Sequence, residues 1–146
     1  MPKVAIIIGS DSDKELSDAT ASILKEFGVE HEQRTLSAHR SPKALAQYVE
    51  YTDAQVFVCI AGLSAALPGA VAAQTIKPVI GVPKEVKLGG LDALLSIAQM
   101  PTGVPVATVG IDAAKNAALL AIEILALSDK QLKEAFNEYR RKRASS

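Results

Sequence analysis

Of the two histidines in the 146 residues, one stands where an imidazole could work as a proton shuttle. His39 lies in Ser37-Ala38-His39-Arg40, a polar segment directly after a predicted strand. Histidine titrates near neutral pH and serves as general acid and general base. Arg40 beside it offers a planar fork for a phosphate or a carboxylate. His31 sits between Glu30 and Glu32 at a predicted strand start, where an exposed structural role is expected. Spacing alone leaves His39 open between a catalytic group and an ordinary loop residue.

A second candidate is Gly9-Ser10-Asp11-Ser12-Asp13, which follows the first predicted strand. Two readings stand side by side. Unpaired amides at a helix N-terminus suit a phosphate, with Ser10 and Ser12 adding hydroxyl donors. Asp13 would then accept from ribose hydroxyls. The other reading, simpler on spacing alone, is helix capping: Ser12 and Glu15 form a capping-box pattern. The segment has neither the P-loop lysine nor a full dinucleotide fingerprint. Two separated histidines and Cys59 make no metal-ligand cluster. No G-x-S-x-G nucleophile elbow occurs; Gly62-Leu63-Ser64 ends in Ala66 rather than glycine.

These loops must be held by alternating strands and helices. Val4 to Ile8 is a continuous apolar run closed by Gly9, the pattern of a strand buried on both faces. Further strands are predicted over Glu32–Leu36, Val56–Ile60, Val79–Val82 and Val104–Val109. Leu16, Ala19, Ile23, Leu24 and Phe27 recur at helical spacing up to Gly28. Ser41-Pro42 suits the cap and first position of a helix carrying Leu45, Tyr48 and Val49. A small-residue helix is expected near Pro68, and a short helix over Leu91–Ala98. Asp112 is expected to cap a helix with Ala117, Leu120, Ile124 and Leu127. Ser128 with Gln131 is expected to open a last helix striped by Leu132, Ala135, Phe136 and Tyr139. This alternation predicts an α/β fold with a five-stranded parallel sheet covered on both faces. Ligands of such folds sit at the carboxyl ends of the strands.

Composition narrows the partners. Acidic and basic residues balance at 16 each. That argues against a broad nucleic-acid surface, and Arg140, Arg141, Lys142 and Arg143 are expected as a solvated tail. The absence of tryptophan disfavours a base-stacking platform. No apolar stretch reaches the roughly 20 residues of a membrane span. Cys59 is unpaired within an apolar run, where a buried, inert thiol is expected. With no leader pattern, cytoplasmic residence is the expectation. One domain over 1–146 is expected, with 128–146 as its C-terminal helix and basic tail.

Taken together, the loops resemble the PurE family of de novo purine biosynthesis. Residues 9–13 resemble its G-S-x-S-D, and Ser37-Ala38-His39-Arg40-Ser41-Pro42 its S-A-H-R-T-P. Leu67-Pro68-Gly69 and Pro78-Val79-Ile80-Gly81-Val82-Pro83 match further family motifs, as do Gln99-Met100-Pro101 with Gly103, Pro105–Val109 and Asn116–Ala121. The resemblance implies a three-layer flavodoxin-like fold, assembled as a homo-octamer with active sites where subunits meet. It implies an imidazole ribonucleotide as substrate and no cofactor. The reaction implied is a mutase step, moving a carboxylate from the exocyclic nitrogen of N5-carboxyaminoimidazole ribonucleotide to a ring carbon. His39 is implied as general acid and base. Ser10, Ser12, Asp13 and Arg40 are implied in nucleotide binding, Asp13 on the ribose and Arg40 near the phosphate. Ser37 and Ala38 would line the ring, with Gly62, Ser64 and Leu67 from the third-strand loop. Gln99-Met100-Pro101 is open between a wall shared by subunits and a structural role.

That third-strand loop departs from the pattern. The common mutase has A-G-G-A-A-H-L-P-G, whereas Leu63 and Ala66 here replace its second glycine and its histidine. A second branch carboxylates aminoimidazole ribonucleotide directly, with a loop like A-G-R-S-N-A-L-S-G. Gly62, Ser64, Ala66 and Leu67 match it, but Leu63 and Ala65 supply neither its arginine nor its asparagine. The alternatives are therefore a carbon-dioxide-dependent carboxylase or the reverse decarboxylase, and a nucleotide-binding homologue without turnover.

Overall fold

Val4-Ala5-Ile6-Ile7-Ile8 offers no polar residue to either side of a strand, so it belongs inside a sheet covered on both faces. In the computed structural model, which describes residues 3–145, β1 (Val4–Ile8) is buried throughout. It lies between β2 (His31–Thr35) and β3 (Val56–Gly62). β4 (Val79–Lys84) continues the sheet from β3, and β5 (Ala107–Thr108) closes it. Every pairing is parallel and the order is β2-β1-β3-β4-β5, the flavodoxin-like winding.

Strand alternation divides the core in two. Val4, Ile6, Ile8, Val58, Ile60 and Val82 face α1 (Lys14–Glu26), α5 (Ala114–Ala126) and α6 (Lys130–Ala144). Ala5, Ile7, Phe57, Cys59 and Val79 face α2 (Pro42–Tyr51), α3 (Leu67–Ala72) and α4 (Leu91–Ala98). The distribution follows from right-handed crossovers. The β1-to-β2 connection runs one way across the sheet, and those from β2 onward run the other. Cys59 is fully buried, and burial pushes its thiol far above the ordinary range, consistent with an inert packing group.

Two contacts fix the helices on the sheet. The buried Thr20 hydroxyl on α1 lies 3.1 Å from the Ala114 carbonyl oxygen, joining α1 to the start of α5. On the other face, Gly81 of β4 lets α3 and α4 approach: a Cβ there would stand 2.3 Å from Ile97 Cγ2 and 3.2 Å from Pro68 Cβ.

Several local expectations shift. Ser12 caps nothing: Asp11–Asp13 form a single 3₁₀ turn, and Ser12 Oγ meets Ser10 Oγ at 2.6 Å. α6 is capped one residue later than expected, by Asp129, whose carboxylate accepts from the Leu132 amide at 3.0 Å. Asp112 does not cap α5. Its carboxylate accepts from the Glu85 amide at 2.9 Å and ties the loop after β4 to the loop before α5. β5 spans only Ala107–Thr108, the two residues that pair with β4. Ala135 is exposed, while Leu132 and Phe136 are buried. The basic run is exposed to solvent and helical. Arg140–Arg143 are the last turns of α6, where cations offset the negative helix end. Arg140 also lies 5.2 Å above the Phe136 ring. No helix among the described residues is long and apolar enough to cross a membrane.

Candidate active site

The winding reverses between β1 and β3, so the loops leaving these two strands diverge and open a crevice at their carboxyl ends. A cleft of about 360 Å³ lies there. The loop after β1 contributes Ser10, Ser12 and Asp13, and the loop after β2 contributes Ser37, Ala38, His39 and Arg40. The end of β3, the loop after it and the start of α3 add Gly62, Ser64 and Leu67. The residues to which the sequence pointed for catalysis and nucleotide binding therefore reach one cleft, although they are drawn from segments dozens of residues apart. Gln99, Met100 and Pro101 do not line it; Met100 lies over Gly69 of α3, where a Cβ would stand 3.1 Å from its sulfur.

Local hydrogen bonds explain how the second loop is held. Ser41, expected as a plain N-cap, turns its hydroxyl back on the loop instead. Its Oγ accepts from the Ser37 amide at 3.1 Å and donates to the Ser37 carbonyl at 3.2 Å. The Arg40 amide donates to Ser37 Oγ at 3.1 Å. The backbone on both sides of His39 is thus tied to Ser37, while the His39 and Arg40 side chains remain exposed toward the cleft. Among the described residues the Arg40 guanidinium has no ion-pair partner, so its charge is open to an anion.

The opposite wall is apolar. Ala61, Leu63, Ala65, Ala66, Leu67 and Val86 form it. Leu63 has φ 55°, a left-handed conformation uncommon for a branched side chain, and is half exposed. Polar donors, one imidazole and one free guanidinium thus face an apolar surface. Such a site can hold an anionic, partly planar molecule and move a proton on it.

Two neighbours were not legible as site residues. Val86 comes from the segment after β4. Lys84, the last residue of β4, lies behind the first loop: its Nζ is 3.3 Å from Asp13 Oδ1 and donates to the Ser12 carbonyl. Placement at the carboxyl end of a strand was the available signal, but no motif marked it.

The sequence matches the model of the family described as AIR carboxylase over residues 3–146. This chain belongs to the AIR carboxylase family. A family relative from Methanocaldococcus jannaschii, named N5-carboxyaminoimidazole ribonucleotide mutase, is 56% identical over 139 residues, spanning 95% of this chain and 88% of that protein. A mutase of the same name from Pyrococcus abyssi is 53% identical over 144 residues, spanning 96% of this chain and 83% of that one. The crystal structure of Treponema denticola PurE superposes with a TM-score of 0.91 at 33% identity, over 99% of this chain and 93% of that chain. Within the AIR carboxylase family the departures at Leu63 and Ala66 acquire a location, since both residues line the cleft wall.

Proposed function

We propose that this chain is a mutase converting N5-carboxyaminoimidazole ribonucleotide to 4-carboxy-5-aminoimidazole ribonucleotide. The observation that carries the proposal is the gathering of His39, Arg40 and the Ser10–Asp13 turn around one cleft in a chain so similar to proteins named for that reaction. The phosphate meets Arg40 and the serine turn, and Asp13 accepts from the ribose. Ser37, Ala38, Gly62, Ser64 and Leu67 border the imidazole ring.

Proton bookkeeping closes on one residue. The His39 imidazolium gives its proton to the carbamate nitrogen. The nitrogen–carbon bond then breaks and carbon dioxide is released inside the cleft. The electron-rich ring carbon attacks that carbon dioxide, and neutral His39 takes the proton from the same ring carbon. The imidazolium ends as it began, and substrate and product are isomers, so the exchange of a nitrogen–carbon for a carbon–carbon bond calls for no external oxidant or reductant. The scheme therefore draws on no cofactor. Its demand is that carbon dioxide be held near the ring, which is a matter of positioning and enclosure. The apolar wall of Ala65, Ala66 and Leu67 suits an uncharged, apolar intermediate.

Two assays run in parallel test this. The purified protein is expected to convert the N-carboxylated nucleotide at full rate without added bicarbonate. Product formed only from aminoimidazole ribonucleotide plus a carbon dioxide source would replace the mutase by a carboxylase. Binding without turnover in both assays would leave a nucleotide-binding protein.

The assembly we infer is a homo-octamer, acting in the cytoplasm. Val86, Leu88, Leu91 and Leu95 lie exposed in the segment that runs from the cleft rim into α4, an apolar surface that another copy would cover. Sedimentation velocity is expected to give a single species of eight chains; a monomer at micromolar concentration would contradict it.

A further inference from the structure

Lys84 is mostly buried, with a side chain only 20% exposed, and points at a carboxylate that is itself 9% exposed. Burying an ammonium group is costly unless it is paired and hydrogen-bonded. Here both conditions are met by the same short segment. Nζ lies 3.3 Å from Asp13 Oδ1 and donates to the carbonyl of Ser12.

The reach of this side chain depends on its neighbours in the sheet. β4 is separated from β1 by β3, so the gap is about two strand spacings, roughly 9.6 Å. Lys84 pairs in register with Gly62 of β3. A Cβ at Gly62 would stand 2.6 Å from Val86 Cγ2 and 3.6 Å from Lys84 Cβ, so glycine there lets Lys84 and Val86 pack closely on the end of β3. Alternation along β4 puts Lys84 on the face of Ile80 and Val82, the face covered by α1, whose first turn Asp13 precedes.

The Lys84 backbone pairs with Gly62 of the cleft lining, but its charged end reaches the lining only at the Ser10–Asp13 turn, and no family motif identified in the sequence includes it. We propose that Lys84 is the positioning residue of the phosphate-binding turn. It fixes the Ser12 carbonyl and the Asp13 carboxylate, and its charge offsets that of Asp13. Without it, an uncompensated carboxylate would stand beside the site where a phosphate dianion must bind. With it, the amides at the start of α1 and the Ser10 and Ser12 hydroxyls act on the phosphate unopposed. This inference rests on the ribonucleotide reading of the cleft.

The test compares wild type, Lys84→Met, Lys84→Arg and the double variant Asp13→Asn with Lys84→Met. The measurements are KM and kcat for N5-carboxyaminoimidazole ribonucleotide, and dissociation constants for aminoimidazole ribonucleotide and its unphosphorylated nucleoside. Lys84→Met is expected to raise the ribonucleotide KM roughly tenfold or more with kcat lowered less than about threefold. Nucleoside affinity should fall much less than ribonucleotide affinity. Arginine should restore most of the loss. Adding Asp13→Asn to Lys84→Met should recover ribonucleotide affinity relative to nucleoside, because it removes the stranded charge. A merely structural lysine would weaken both ligands equally in Lys84→Met, and that result overturns the proposal. So does an unchanged ribonucleotide KM. If wild-type protein fails to bind the ribonucleotide at all, the functional reading falls, and the Lys84 proposal with it. Wild-type turnover beside an indifferent Lys84→Met removes only the latter.

Discussion

With His39 replaced by asparagine, turnover is expected to fall roughly a thousandfold, while ribonucleotide affinity stays within about threefold of wild type. Asparagine keeps a comparable size and a hydrogen-bonding end, but it cannot exchange a proton near neutral pH. The proposed route uses one group twice, as donor to the carbamate nitrogen and acceptor from the ring carbon. Both steps are lost together. No second imidazole can take over. His31 lies at the amino end of β2, away from the carboxyl-end cleft, with Nδ1 2.8 Å from the Val29 carbonyl oxygen. The second histidine of the common family loop is Ala66 here. Steady-state rates beside equilibrium dialysis would check this, and a variant with unimpaired kcat would remove His39 from its role.

Gly81→Val is expected to cost about 3 kcal/mol of folding stability, a large share of the total for a domain of this size. The first added carbon alone would stand 2.3 Å from Ile97 Cγ2, a distance that real atoms do not tolerate. Pro68 Cβ and Cγ, each 3.2 Å away, crowd the same position. The strand is paired on both sides, so it cannot move without disturbing β3 and β5. The helices must move instead, and α3 begins at Leu67 on the cleft wall. Some loss of ribonucleotide affinity should therefore accompany the loss of stability. Urea unfolding measures the first effect. Combining Gly81→Val with Ile97→Ala should recover part of it, since that substitution clears the nearest obstacle. A midpoint unmoved by Gly81→Val would mean that the packing of α3 and α4 on β4 is looser than described.

How much could be read in advance varied with the range of the interaction. The buried strands were visible because Val4–Ile8 and Val56–Ile60 lack polar residues on either face, and a strand in that state has one solution. The helix stripe through Ile23 and Leu24 was equally plain. Cap positions were not. Ser12 and Asp129 have similar local credentials, and what separates them is whether a 3₁₀ turn intervenes. Asp112 had the right type for a cap but was drawn to the Glu85 amide, a partner 27 residues distant. The short β5 was overestimated for the same reason. Apolar residues continue from Val104 to Val109, yet only Ala107 and Thr108 find ladder partners on β4.

Periodicity and punctuation act between near neighbours, so the alternation of elements, the parallel sheet and the strand-end loops that carry Ser10, His39, Arg40 and Ser64 were written locally in the chain. Tertiary structure alone decided the rest. It brought Lys84 to Ser12 across 72 residues, required glycine at position 81 beneath two helices, and set Leu63 and Ala66 as the wall facing the polar loops. Those outcomes depend on which strands become neighbours and how closely helices approach them, and no local pattern encodes either distance.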